Sequence, residues 1–215
     1  MLKALLLDLD GTLAETDSLH LLTWAKALGP HDIEVDEEFY KENISGRLNP
    51  DVVEDLLPHF SEEEGLQIAE AKEVDFRGKA GDLTPLPGLM DFLDKARGKG
   101  LKLALVTNAP EKNVRALLGG LNLDDAFDTK VLAEDVGAGK PDAAPYLAAL
   151  NALGLTPEET IAFEDSSSGI ISARGADIPT VGIASTHDPE KLREAGAFAV
   201  SEDFADPKCI ALLDG

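Results

Sequence analysis

The sequence predicts an α/β protein: a Rossmann-like parallel sheet core with an α-helical cap inserted after its first strand. Three observations carry that expectation. Short apolar runs bounded by turn residues recur down the chain. In the second half, stretches of helical periodicity lie between them, the alternation that a parallel sheet with helices on both faces produces. One interval, from about Glu15 to Thr84, breaks the alternation and holds only helix-like segments.

Taken in order, the strand candidates are Ala4–Leu9, Leu101–Val106, Thr129–Leu132, Thr160–Phe163, Pro179–Ile183 and Ala197–Val200. Helical periodicity follows in Pro110–Leu118, Ala143–Leu153, Ser168–Arg174 and Pro189–Ala195. Inside the interrupting interval the helix candidates are Ser18–Leu28, Glu37–Asn43, Pro50–Leu57 and Ser61–Lys79. Ser61 followed by Glu64 reads as a capping box, in which side chain and backbone at a helix start satisfy each other's hydrogen bonds. The interval ends at Thr84-Pro85-Leu86-Pro87-Gly88, a proline-rich hinge candidate. The expected division is residues 1–14 and 86–215 for the core and 15–85 for a cap over the first strand's carboxyl end. Such a cap is expected to open and close over a ligand.

Composition narrows the function classes. The 215 residues are 44% hydrophobic and carry a net charge of −22, enough apolar material for a sizeable core but no basic surface for nucleic acid. An anionic membrane surface is disfavoured for the same reason. The single cysteine, Cys209, excludes an intramolecular disulfide and a cysteine zinc cluster. No apolar run approaches the roughly 18 residues of a membrane span, and the N-terminus lacks a cleavage signal. A cytoplasmic protein, monomeric or a weak homodimer, acting on a small metabolite is expected.

The chemistry lies where polar residues meet strand ends. Asp8 and Asp10 follow the first strand, Thr107-Asn108 the second, Lys140 precedes a helix, and Glu164-Asp165-Ser166 follow the fourth. Singly, each has a plainer reading: a solvated turn, a helix cap or a surface lysine. In a parallel sheet, however, all of them converge on one edge, where ligands bind. Four carboxylates, a hydroxyl and a lysine outline a site for a hard cation and a phosphate. One aspartate can attack phosphorus as a nucleophile. A second, two residues on, can serve as general acid and then base. Thr107 can hold phosphoryl oxygens and Lys140 can neutralise their charge.

These residues resemble a known family. Asp-Leu-Asp-Gly-Thr-Leu (8–13), Val-Thr-Asn (106–108), Gly-Lys-Pro-Asp (139–142) and Phe-Glu-Asp-Ser-Ser-Ser-Gly-Ile (163–170) resemble the four motifs of the haloacid dehalogenase superfamily. More narrowly, the chain looks like the branch of helical-cap phosphatases and β-phosphoglucomutase-like enzymes. The resemblance implies Asp8 as nucleophile and Asp10 as general acid/base. It also implies Mg²⁺ held by Asp8, the Asp10 backbone carbonyl and Asp165, with Glu164 in direct contact or behind it. Thr107, Asn108 and Lys140 would bind phosphate. The dehalogenases lack the second aspartate, so Asp10 points to phosphoryl chemistry.

Substrate choice is expected from the cap, with His20, Trp24, Arg47 and Lys72 as candidates, although Trp24 is spaced with Leu21 and Leu28 as a core residue would be. The expected function is a Mg²⁺-dependent phosphatase of small phosphomonoesters, such as sugar phosphates or phosphoglycolate-like acids, working through an aspartyl-phosphate. A sugar phosphomutase is the nearest alternative. Mutases of the branch keep a Gly-x-Ser-Arg pattern in the cap, whereas this chain reads Gly46-Arg47-Leu48-Asn49. A phospho-acceptor signalling domain also gathers aspartate, threonine and lysine about Mg²⁺, but lacks the inserted helices.

Overall fold

Strand β1 (Ala4–Leu7) is buried along its whole length, because helices cover both faces of the sheet it centres. The computed structural model describes residues 1–213; the last two residues of the segment assigned to the core lie outside it. Beside β1 run β2 (Lys102–Thr107), β3 (Thr129–Leu132), β4 (Thr160–Glu164), β5 (Thr180–Ile183) and β6 (Ala199–Ser201). The sheet order is β3-β2-β1-β4-β5-β6 and every pairing is parallel. Alternation along each strand divides the core in two. Leu5, Leu7, Leu103, Leu105 and Phe163 pack on one face with Phe92, whereas Leu6, Ala104, Val106 and Ala162 meet Tyr146 and Leu150 on the other.

The chain order reverses at β1, with β2 on one side and β4 on the other, which opens a crevice at the carboxyl ends of these strands. β1 stops at Leu7 rather than running to Leu9, so Asp8 and Asp10 leave the sheet into that crevice. β4 runs one residue further than expected, so Glu164 is still strand and its side chain is held rigidly.

After β1 come four helices in succession: α1 (Asp17–Leu28), α2 (Glu37–Asn43), α3 (Asn49–Leu56) and α4 (Glu62–Lys79). Both halves of the Ser61–Glu64 capping box form at the start of α4. These helices bury a separate cluster around Trp24, Leu28, Tyr40, Val52 and Val53. The end of α4 belongs elsewhere: Phe76 joins the sheet's core, so the helical segment is anchored at its base. Its two connections cross side by side, Ala14 bridging Pro85 and the Leu86 N–H donating to the Leu13 carbonyl at 2.9 Å.

The remaining helices flank the sheet. They are α5 (Leu89–Gly98), α6 (Glu111–Leu121), α7 (Ala133–Val136), α8 (Ala144–Leu153), α9 (Ser167–Gly175), α10 (Pro189–Ala195) and α11 (Pro207–Leu212). α5 has no counterpart in the sequence reading, although Leu89, Phe92, Leu93 and Ala96 are spaced as one buried helical face. Among the described residues no helix is long and apolar enough to cross a membrane.

Candidate active site

Asp8 is the first residue past β1, and its N–H still pairs with the Phe163 carbonyl of β4 at 3.0 Å. That bond fixes its backbone and aims its carboxylate into the crevice. Lys140, from the loop before α8, is buried and reaches Asp8 Oδ1 at 2.5 Å and the Val106 carbonyl at 2.8 Å. The same ammonium is 2.6 Å from Glu164 Oε1, which also accepts from the Tyr146 hydroxyl at 2.5 Å. Burial works to lower the Lys140 pKa, but the charges of Asp8 and Glu164 outweigh it and hold the amine protonated.

Asp165 follows Glu164 directly. Its carboxylate lies 3.5 Å from His187 Nδ1 and packs against Gly11. Gly11 has φ 69°, and a Cβ there would overlap the Asp165 carboxylate, so both backbone and space require glycine. Ser185 Oγ donates to the Gly11 carbonyl at 2.6 Å and ties down the turn.

One carboxylate oxygen from each of Asp8, Glu164 and Asp165 lies within 4.8 Å of the others. Three buried carboxylates facing one lysine leave an excess of negative charge. The consequence appears in the protonation of Asp8 and Asp165. Burial first, reinforced by Glu164 and Asp165 against the pull of Lys140, pushes Asp8 well above the usual carboxylate range. Burial likewise lifts Asp165 from 3.8 to about 6, against His187. Glu164 Oε2 is buried with no hydrogen-bond partner. Crowded hard oxygens, raised pKa values and an orphaned acceptor fit a divalent cation.

The Asp10 side chain is not part of that trio. Its Oδ1 lies 3.3 Å from His20 Nε2, and His20 Nδ1 lies 2.8 Å from Lys72 Nζ. An ammonium can only donate, so Nδ1 accepts and Nε2 carries the hydrogen that points to Asp10. His20 is stacked on Phe76 at 4.1 Å, which fixes the ring's plane. Burial raises the Asp10 pKa, but the His20 hydrogen bond and the Lys72 charge prevail and hold it low.

Thr107 is buried, and its Oγ1 accepts from the Ala109 N–H at 3.0 Å, leaving its own hydrogen to donate. Asn108 is engaged with the Lys140 backbone in both directions, its Nδ2 donating to the carbonyl and its Oδ1 accepting from the N–H. That clasp positions the loop bearing Lys140. Lys72 is buried under Trp24, whose ring centre is 5.1 Å from Nζ, and donates to Glu73 Oε1 at 2.8 Å. Trp24 itself packs in the helical segment's own core. Arg47 lines the cleft, but its guanidinium is bound to Asp55 Oδ2 at 2.5 Å and to the Asn43 and Asp51 carbonyls.

Asp8, Asp10, Thr107, Asn108, Lys140 and Asp165 all line one cleft of about 450 Å³, and His20, Arg47 and Lys72 line it as well. Glu164 lies just beneath, fully buried. Sequence reasoning missed Tyr146, His187, Glu73 and Asn113. His187 had a signal, a rare imidazole four residues past the end of β5, at the same sheet edge. Glu73 and Asn113 had none, because each looks like a solvated polar residue on a helix.

A family model described as haloacid dehalogenase-like hydrolase matches residues 2–177. Validoxylamine A 7'-phosphate phosphatase of Streptomyces hygroscopicus subsp. limoneus is 31% identical, covering 91% of this chain and 92% of its own. The crystal structure of CbbY from Rhodobacter sphaeroides in complex with phosphate superposes with a TM-score of 0.86 at 28% identity, covering the whole of both chains. β-Phosphoglucomutase from Clostridium difficile superposes at 0.88 with 26% identity, over 100% of this chain and 96% of its own.

Proposed function

The chain belongs to the haloacid dehalogenase-like hydrolases, and from that premise we propose that it is a Mg²⁺-dependent phosphatase of small phosphomonoesters. One observation carries the reading: Asp8, braced by Lys140, and Asp10, braced by His20, face the same cleft from a single turn. The helices of residues 15–85 serve as the cap.

Lys140 occupies Asp8 Oδ1, which leaves the other oxygen to attack phosphorus. As the Asp8–phosphorus bond forms, the bond to the ester oxygen breaks and that oxygen takes a proton from Asp10. Water then attacks the aspartyl-phosphate, Asp10 takes its proton, and inorganic phosphate leaves with the Asp8 carboxylate regenerated. Asp10 is held in its ionised form here, which suits the second step. A phosphate dianion beside it raises its pKa and loads the proton needed for the first. Thr107 and Lys140 bear the charge on the phosphoryl oxygens. Asp8, Asp165 and the Asp10 carbonyl, with Glu164 alongside, would hold Mg²⁺, which would supply further neutralisation of the phosphoryl charge.

Purified protein with Mg²⁺ is expected to release phosphate from a panel of phosphomonoesters, and Asp8→Asn is expected to release none. Isomerised sugar phosphate with little free phosphate, in tubes primed with the sugar bisphosphate, would make the enzyme a mutase instead.

A further inference from the structure

The cap end of the cleft is chemically opposite to the phosphate end. Three cationic side chains line the cleft among the described residues, and each already has its counter-charge. Lys140 is paired with Asp8 and Glu164, Lys72 with Glu73, and Arg47 with Asp55. No lining cation at the cap end is therefore left over for an anionic group of the substrate.

What that end offers is acceptors. The Glu73 side chain is 4% exposed, and its carboxylate takes bonds from Lys72 and from Asn49 Nδ2, each at 2.8 Å, and from Asn113 Nδ2 at 2.5 Å. A carboxylate only accepts, so it dictates which way both amides face. The Asn113 carbonyl oxygen then meets Arg77 at 3.0 Å. The Asn49 carbonyl oxygen is turned away from Glu73, and Asn49 lines the cleft. Phosphate and carboxylate oxygens are acceptors too; hydroxyls are donors.

We propose that Glu73 sets the substrate class, so that the cap end takes an uncharged, hydroxyl-bearing group and turns away a second phosphate or a carboxylate. The inference rests on the phosphatase reading and narrows it to monophosphates of neutral polyols or sugars. The discrimination comes from a missing complement: an acidic group brought to this end finds acceptors and no cation free to offset its desolvation, because Glu73 already holds Lys72.

The test compares matched pairs with the full-length protein and Mg²⁺: fructose 6-phosphate against fructose 1,6-bisphosphate, and glycerol 3-phosphate against 3-phosphoglycerate. The neutral member is expected to be favoured by roughly 100-fold in kcat/KM, and Glu73→Gln to cut that ratio by about tenfold or more. Equal turnover of both members by the wild type, or preference for the acidic one, overturns the inference without needing a variant. A Glu73→Gln protein that melts like the wild type but keeps the full ratio overturns the assignment to Glu73. Absence of phosphate from every ester, p-nitrophenyl phosphate included, would instead sink the phosphatase reading and this inference with it.

Discussion

The molecule contains two buried lysine–carboxylate centres, one at the sheet edge and one under the cap, and they are built on different charge counts. At the sheet edge Lys140 faces Asp8 and Glu164, with Asp165 close by. Under the cap Lys72 faces Glu73 alone, and two amides complete the carboxylate's bonds. The first centre is short of positive charge and raises the pKa of Asp8 and Asp165. The second is balanced. Although burial acts to raise the Glu73 pKa, Lys72 and the neighbouring His20 hold it below its usual value. An excess of buried carboxylate suits a cation, and a matched pair does not call for one.

The largest effects should come from breaking the unbalanced centre. Asp8→Asn is expected to lower phosphate release by on the order of 10⁴-fold or more, since the nucleophile has no substitute. Lys140→Met leaves three buried carboxylates without their lysine. Loss of one partner from such a pair costs about 3–5 kcal/mol, so the melting temperature should fall sharply. It should recover in part on adding Mg²⁺. A fall that Mg²⁺ leaves untouched would show that the excess charge is not what the cation answers.

Acid sharpens the contrast, because the two centres respond with opposite sign. Asp165 has a folded pKa of about 6 against an ordinary 3.8. Without metal, its contribution to stability is fully present below 3.8 and is lost as pH rises through about 6. A cation must displace that proton, so the rise in melting temperature on adding Mg²⁺ should grow between pH 5 and pH 7 and then level off. Glu73 behaves the other way: its folded pKa is depressed, so its contribution is present above the unfolded value and lost as pH falls through the folded one. A Mg²⁺ effect that is the same at pH 5 and pH 7 would contradict the raised carboxylates.

The sheet-edge centre was far more legible in the sequence than the cap centre, for a physical reason. A parallel sheet brings strand ends together whatever the helices do, so Asp8, Thr107 and Asp165 could be placed on one edge from the order of apolar runs alone. The strand boundaries were harder: β1 ends two residues early at Leu7, and α5 went unread despite its buried face of Leu89, Phe92, Leu93 and Ala96. Lys72 was one cap candidate among four, with nothing to mark its burial. Glu73 and Asn113 were invisible because their partners are 40 residues apart and meet only when α4 packs on α6. Arg47 shows the reverse difficulty. The sequence offered it as a cap candidate for substrate, and the counter-charge that engages it, Asp55, lies eight residues on in the last turn of α3.

The smallest effect is the most telling for the balanced centre. Lys72→Met alone strands the Glu73 carboxylate and should cost about 3–5 kcal/mol. Turnover should fall as well, since His20 Nδ1 loses the donor that fixes its tautomer and its hydrogen bond to Asp10. Adding Glu73→Gln removes the stranded charge; the glutamine carbonyl can still accept from Asn113, and Asn49, turned over, can accept from the glutamine NH2. The double variant should therefore melt within about 1 kcal/mol of the wild type, as neutralised buried pairs often do. Its turnover should stay low, because stability is restored without restoring the donor to His20. A double variant less stable than Lys72→Met would mean that Glu73 is held by its amides rather than by Lys72. In that case the cap centre is not a charge-balanced pair, and its difference from the sheet edge lies in hydrogen bonding alone.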